Sequence, residues 1–135
     1  EMIYQGEEEF RKLFDSIAET ITKNDFYWAF AFNTEYLHPK VREILSEIHN
    51  KLQQKSVEDK IICRLEALGI IKKTFKNNQN IRIKAVKEEI PTGVIILKDK
   101  IINLLWGEQP SAYEIRTKEI VEKYKNYFKE IWKKG

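Results

Sequence analysis

The sequence predicts an α/β fold, with a mixed sheet of about five to six strands flanked by helices. Three observations predict it. Long segments near both ends of the chain repeat apolar residues at helical spacing. A short aromatic run, residues 26–32, sits between turn residues and has the length of a strand. From residue 81 onward, short alternating segments are separated by polar turns, the pattern of antiparallel strands.

The first helix follows Gly6. Phe10, Leu13, Phe14, Ile17, Ala18 and Ile21 fall at spacings of 0, 3, 4, 7, 8 and 11, which makes one apolar stripe. Glu7, Glu8 and Glu9 open this helix, where carboxylates complement the helix dipole. Asn24 and Asp25 break it. Phe26, Tyr27, Trp28, Ala29, Phe30, Ala31 and Phe32 then form a nearly unbroken apolar run, which reads as a strand buried on both faces. A second helix covers residues 39–54. Pro39 suits its first turn, and Val41, Ile44, Leu45, Ile48 and Leu52 give spacings of 0, 3, 4, 7 and 11.

Residues 58–66 are open between two readings. Ser56, Val57, Glu58 and Asp59 have the look of a helix start, and Ile61, Leu65, Leu68 and Phe75 keep a rough helical period. Residues 60–64 read equally as a strand with a helix only afterwards. Next, Ile81, Ile83 and Ala85 alternate with Arg82, Lys84 and Val86, a strand pattern. Residues 93–97 and 101–106 form a hairpin across the polar turn Lys98, Asp99, Lys100. Gly107, Glu108, Gln109 and Pro110 make another turn, and residues 112–116 alternate again. Thr117 is placed to cap the last helix. Its stripe is Ile120, Val121, Tyr124, Tyr127, Phe128, Ile131 and Trp132, at 0, 1, 4, 7, 8, 11 and 12.

Composition excludes several classes of function. The chain has 135 residues, the size of one domain, and 42% are hydrophobic, enough for a core. Lys plus Arg is 24 and Asp plus Glu is 21, so the net charge of +3 makes no case for nucleic acid or a membrane surface. No apolar run approaches the roughly 20 residues of a membrane span, so no membrane partner and a cytoplasmic location are expected. Five glycines leave little for glycine-rich phosphate loops. Cys63 is the one cysteine, which excludes an intramolecular disulfide and reads as a small core residue. With two histidines eleven apart, His38 and His49, no zinc set is present, and neither metal nor cofactor is expected. Lys72, Lys73, Lys76, Arg82 and Lys84 cluster, as do the lysines of the last helix. There Glu119, Glu122 and Glu130 interleave, pairing for example Glu119 with Lys123, so the pattern reads as a solvated face. Trp28, Trp106 and Trp132 are flat enough to stack a sugar, but each falls on a strand or an apolar stripe and reads as core.

Four pieces in order carry a family resemblance. They are Tyr4-Gln5-Gly6-Glu7 leading into the first helix, the apolar strand at 26–32, Ile81-Arg82-Ile83-Lys84 followed by Pro91-Thr92-Gly93-Val94-Ile95-Ile96 and the turn 98–100, and a closing Tyr127-Phe128-Lys129-Glu130-Ile131-Trp132. The last is similar to an aromatic F-x-x-L-W finish. With them, essentially the whole chain resembles the phospholipase D-like effector domain that lies C-terminal to a winged-helix module in TrmB-type archaeal transcription regulators. The resemblance implies a phospholipase D-like half-domain, with a strand near residues 60–64. It implies that residues 1–135 are a single effector and dimerisation domain, a C-terminal piece of a longer regulator. The implied partners are a second copy in a homodimer and a small-molecule effector, a sugar or phosphorylated metabolite. DNA would be met only through an N-terminal winged helix outside this sequence.

The resemblance also tests for catalysis. Active phospholipase D enzymes carry H-x-K-x4-D, in which His attacks phosphorus and Lys neutralises phosphoryl oxygens. With the Asp placed on Asp99, the Lys position falls on Val94 and the His position on Thr92. Neither does that chemistry, so no enzyme is expected. His38 and Lys40 also match H-x-K, but Leu45 stands at the Asp position; His49 and Lys51 match, but Ser56 stands there. His38 reads as a helix-start residue and His49 as a solvated or half-buried helix residue. The expected function is therefore a non-catalytic ligand-sensing and dimerisation domain. The alternatives are a divergent phosphodiesterase using His38 or His49, and an interaction domain without ligand. The expected pocket lies at the strand ends near the degenerate site, with Asn33, Arg82, Thr92 and Asp99 as polar contacts and Trp106 as an apolar wall. The aromatic last helix is one candidate dimer interface.

Overall fold

The computed structural model describes residues 2–31, 38–90, 92–106 and 108–134, with Trp106 described through its backbone. Gly6 has φ of +87°, a conformation that glycine adopts without a steric penalty. It lets strand β1 (Met2–Gln5) pass directly into helix α1 (Gly6–Thr20). A Cβ at Gly6 would also press on the Gln109 side chain at 3.3 Å. Strand β2 (Phe26–Ala31), helix α2 (Pro39–Lys55) and strand β3 (Glu58–Arg64) follow. A 3₁₀ turn (Leu65–Ala67) leads to the short helix α3 (Leu68–Thr74). Strands β4 (Ile81–Val86), β5 (Gly93–Ile96), β6 (Ile101–Trp106) and β7 (Pro110–Ile115) come next, and helix α4 (Lys118–Lys134) closes the chain.

The strands form one mixed sheet in the order β1-β7-β6-β5-β2-β3-β4. β2, β3 and β4 are parallel, and the other neighbours are antiparallel. Parallel strands need a crossover, which α2 and α3 supply. The fold class is the α/β one the sequence predicts. The sheet has seven strands among the described residues, against the expected five to six. The uncounted strand is β1, where Met2 and Ile3 are exposed and no buried alternation betrays a strand. Pairing with β7 holds it there.

The two readings of residues 58–66 resolve as a strand, and the reason is Ser56. It takes a left-handed φ of 59° and ends α2, with its N–H on the Gln53 carbonyl at 3.1 Å. Val57 N–H then bonds the Leu52 carbonyl at 3.0 Å, so the chain leaves the helix through a compact C-cap. Ser56 is thus a helix stop where its neighbours suggested a start.

Two cores lie on the two faces of the sheet. One packs the stripes of α1 and α2 and Ile71 of α3 against Tyr27, Ala29, Ile61, Cys63, Ile95, Ile102 and Ala112. The other packs Val121, Phe128 and Ile131 of α4 against Trp28, Phe30, Ile62, Val94, Ile96 and Ile101. β2 therefore sends Tyr27, Ala29 and Ala31 one way and Trp28 and Phe30 the other, as its unbroken apolar run implies.

Cations finish two helices. Lys55, in the last turn of α2, donates Nζ–H to the carbonyls of Ala18 and Ile21, where α1 ends. Lys84 on β4 donates to the Trp132 carbonyl at 2.8 Å in the last turn of α4. The Lys60 and Lys84 ammonium groups also lie 4.9 and 4.7 Å from the Trp132 ring centroid. Phe128 stacks on Trp28 at 5.0 Å and 11°, and meets Phe30 edge-on at 5.2 Å. The aromatic face of the last helix is thereby used inside the molecule, leaving Ile120 and Tyr127 as its exposed apolar residues.

Candidate functional site

The parallel strands β2, β3 and β4 end at one edge of the sheet, and β5, antiparallel to β2, begins there. Open α/β sheets place their ligand sites at such carboxyl ends. At this edge a cavity of about 350 Å³ opens between α4 and the sheet. Phe30 of β2, Val86 of β4 and Val94 of β5 form its floor, and Ile90 a side. Lys123, Tyr124, Tyr127 and Ile131 of α4 roof it. Glu88, Glu89 and Thr92 complete the lining, most of which is apolar. Helical spacing explains the roof: residues 124, 127 and 131 recur on one side of α4, flanking the anchor Phe128.

The predicted site residues divide among several places. Thr92 lines the cavity, and its hydroxyl donates to Asn103 Oδ1 at 3.1 Å. Asp99 lies in the turn at the other end of β5, beside a separate cleft with Asp25, Lys100 and Arg116. Arg82 lies on the amino-terminal half of β4, exposed, in a third cleft with Lys23, Gln79 and Asn80. The structure does not bring Thr92, Asp99 and Arg82 into one pocket, because the length of a strand separates them. Asn33 lies outside the described residues, as does the side chain of Trp106, whose backbone pairs with Pro110. Val94, which the resemblance sets at the Lys position of H-x-K-x4-D, is buried in the core under α4.

The two histidines sit in different settings, His38 exposed at the start of α2 and His49 buried. His38 caps α2, its Nδ1 accepting the Val41 N–H at 3.4 Å. His49 corrects the sequence expectation of a solvated or half-buried residue. It is 1% exposed, and its Nδ1 lies 2.6 Å from Oδ2 of the equally buried Asp59 on β3. The rings of Tyr27 and Phe75 meet it edge-on at 5.0 and 4.6 Å. Position 49 borders the α2 stripe, and the partner Asp59 is ten residues away on another element; no local pattern announces the pair. Cys63 is fully buried, and burial pushes its thiol up to about 11, which suits a core residue and not a nucleophile. Among the described residues, no group of three His, Cys, Asp or Glu side chains is placed to hold a metal.

A second polar network lies around β7. Glu114 is 1% exposed and accepts from Arg116 Nε at 2.8 Å, from Lys100 at 3.3 Å and from the Tyr4 hydroxyl at 3.4 Å. Burial alone would raise its carboxyl, but the Arg116 hydrogen bond and the Lys100 and Arg116 charges outweigh that and hold it below the usual range. A carboxylate with a lowered folded pKa contributes stability above its unfolded pKa of about 4.3, and that contribution is lost as pH falls through the folded value. Glu114→Gln is therefore expected to lower stability near pH 7 and to flatten the acid limb. Urea midpoints measured from pH 7 down to pH 3 check this: equal slopes for the two proteins would refute it.

No protein-family model and no curated protein sequence matches the chain. Among solved structures, the chain is similar to TrmBL2, an archaeal chromatin protein whose structure shows a novel mode of DNA binding. The TM-score is 0.67 at 13% sequence identity, over 98% of this chain and 52% of that one. The chain thus spans about half the length of that protein, and at this identity the two share a fold.

Proposed function

We propose that this chain is the non-catalytic, ligand-sensing and dimerising part of a TrmB-like DNA-binding regulator. The observation that carries the reading is the apolar cavity between α4 and the carboxyl edge of the sheet. Its fold is that of half of a DNA-binding archaeal protein. A ligand there touches β2, β5 and α4 together. If it binds one placement of α4 better than another, it shifts the population between them by that difference in affinity. A non-catalytic role is supported by Val94, buried where phosphoryl chemistry needs a cation, and by His49, locked against Asp59. Dimerisation is supported by the position of β1 as an outer strand of the sheet, with Met2 and Ile3 54% and 57% exposed. DNA contact is assigned to another part of the regulator.

The test is thermal unfolding across a panel of small metabolites, repeated on Thr92→Trp, which fills the cavity from its rim. A specific ligand at a hundredfold excess over Kd stabilises the native state by about 2.7 kcal/mol. A midpoint rise that Thr92→Trp abolishes is the expected result. A rise that Thr92→Trp leaves intact would move the site elsewhere and overturn the reading.

A further inference from the structure

We infer that the cavity under α4 takes an apolar chain or ring carrying a single cationic head, and not a sugar or sugar phosphate. The inference rests on the reading of this cavity as the effector site and names its ligand. Phe30, Val86, Ile90, Val94 and Ile131 present only carbon, with the Tyr127 ring beside them 5.6 Å from Phe30. A sugar brings a hydroxyl on nearly every carbon, and each one buried without a partner is penalised. The lining offers the Thr92, Tyr124 and Tyr127 hydroxyls and the charges at the lip against a surface that is mostly carbon, and the Thr92 hydroxyl already gives its proton to Asn103. Apolar groups carry no such penalty and gain from leaving water.

The lip decides the head. Glu89 is held by Arg64 at 2.7 Å, and Lys123 lies 3.4 Å from Glu119. Glu88 is the charged lip residue without a partner among the described residues, and it is exposed. A cation at the mouth of the cavity meets that carboxylate, and among the lining residues Glu88 and Glu89 outnumber Lys123, whose exposed contact with Glu119 is weak.

Calorimetric titration with octylammonium, octanoate, maltose and glucose 6-phosphate, with amide shifts mapped by NMR, tests this on the wild type, Thr92→Trp, Tyr127→Ala and Glu88→Gln. Tyr127 is 49% exposed, so its truncation leaves the fold intact should Thr92→Trp fail to fold. The expected result is saturable octylammonium binding, with shifts at Phe30, Thr92 and Tyr127, tighter than octanoate by about fivefold. Thr92→Trp and Tyr127→Ala should weaken it, and Glu88→Gln should erase the preference over octanoate. Octanoate binding as tightly as octylammonium overturns the assignment. Maltose or glucose 6-phosphate shifting these amides also overturns it, while leaving the cavity as the effector site. If no probe shifts them but a panel metabolite raises the midpoint in a Thr92→Trp-sensitive way, the ligand class is wrong and the site stands. If neither occurs, both fail.

Discussion

His49→Ala is expected to cost about 3–5 kcal/mol of unfolding free energy, a large share of the roughly 5–15 kcal/mol that holds a domain together. The substitution removes the imidazole that lies 2.6 Å from Asp59 Oδ2. Asp59 Oδ1 already has no hydrogen-bond partner among the described residues, so the variant leaves both oxygens of a fully buried carboxyl group unpaired. It also opens a hole between Tyr27 and Phe75, whose rings abut the imidazole. Because α2 carries His49 and β3 carries Asp59, the loss falls on the contact that seats this helix on the sheet. Urea unfolding measures it. The double variant His49→Ala, Asp59→Ala should lose less than the sum of the two single changes, because each single change strands the other partner. A loss below about 1 kcal/mol for His49→Ala, the size of an ordinary surface substitution, would show that the pair is not buried as described.

Phe128→Ala is expected to cost about 3–5 kcal/mol, the usual range for truncating a buried aromatic. Phe128 is 1% exposed and bridges Trp28, Phe30 and Trp132, with ring centroids 5.0, 5.2 and 5.9 Å away. The other buried residues of α4 are Val121 and Ile131, so the helix has few further anchors. The consequence should therefore be local. Amides of α4 should exchange faster with solvent, while those of α1 and α2, packed in the other core, keep their protection. The same change loosens the roof of the cavity, so any ligand bound there should weaken as well. Uniform loss of protection across both faces would refute the two-core description.

The helices were readable because their apolar residues recur on one side. The stripe from Phe10 to Ile21, the stripe from Val41 to Leu52 and the stripe from Ile120 to Trp132 each mark a face that must be covered. β2 was readable because a short run that is apolar on both faces fits a strand between two layers. Residues 58–64 were ambiguous for a local reason: Ile61, Ile62 and Cys63 are consecutive apolar residues, and such a run has no distinct period. A backbone feature, the left-handed turn at Ser56, decided them. β1 was missed because its residues carry no burial pattern and exist as a strand only through β7.

The site was less legible than the fold. Thr92 was readable as a residue at a strand end, but its pairing with Asp99 and Arg82 in one pocket was not what the sheet allows. β5 separates Thr92 from Asp99, and the parallel register sets Arg82 opposite Lys60, away from the carboxyl edge. The cavity itself draws Phe30, Val86, Val94 and Tyr127 from four elements. By itself the sequence determined which faces are apolar and where the three long helices lie, whereas the short helix α3, whose Ile71 joins the core, was left open along with residues 58–66. Only the tertiary structure decided which elements share an edge, where the cavity opens and that His49 is buried against Asp59. The physical reason is that periodicity is a local property of the chain, whereas a pocket or a buried hydrogen-bonded pair is made by residues that meet only after strands have chosen their neighbours.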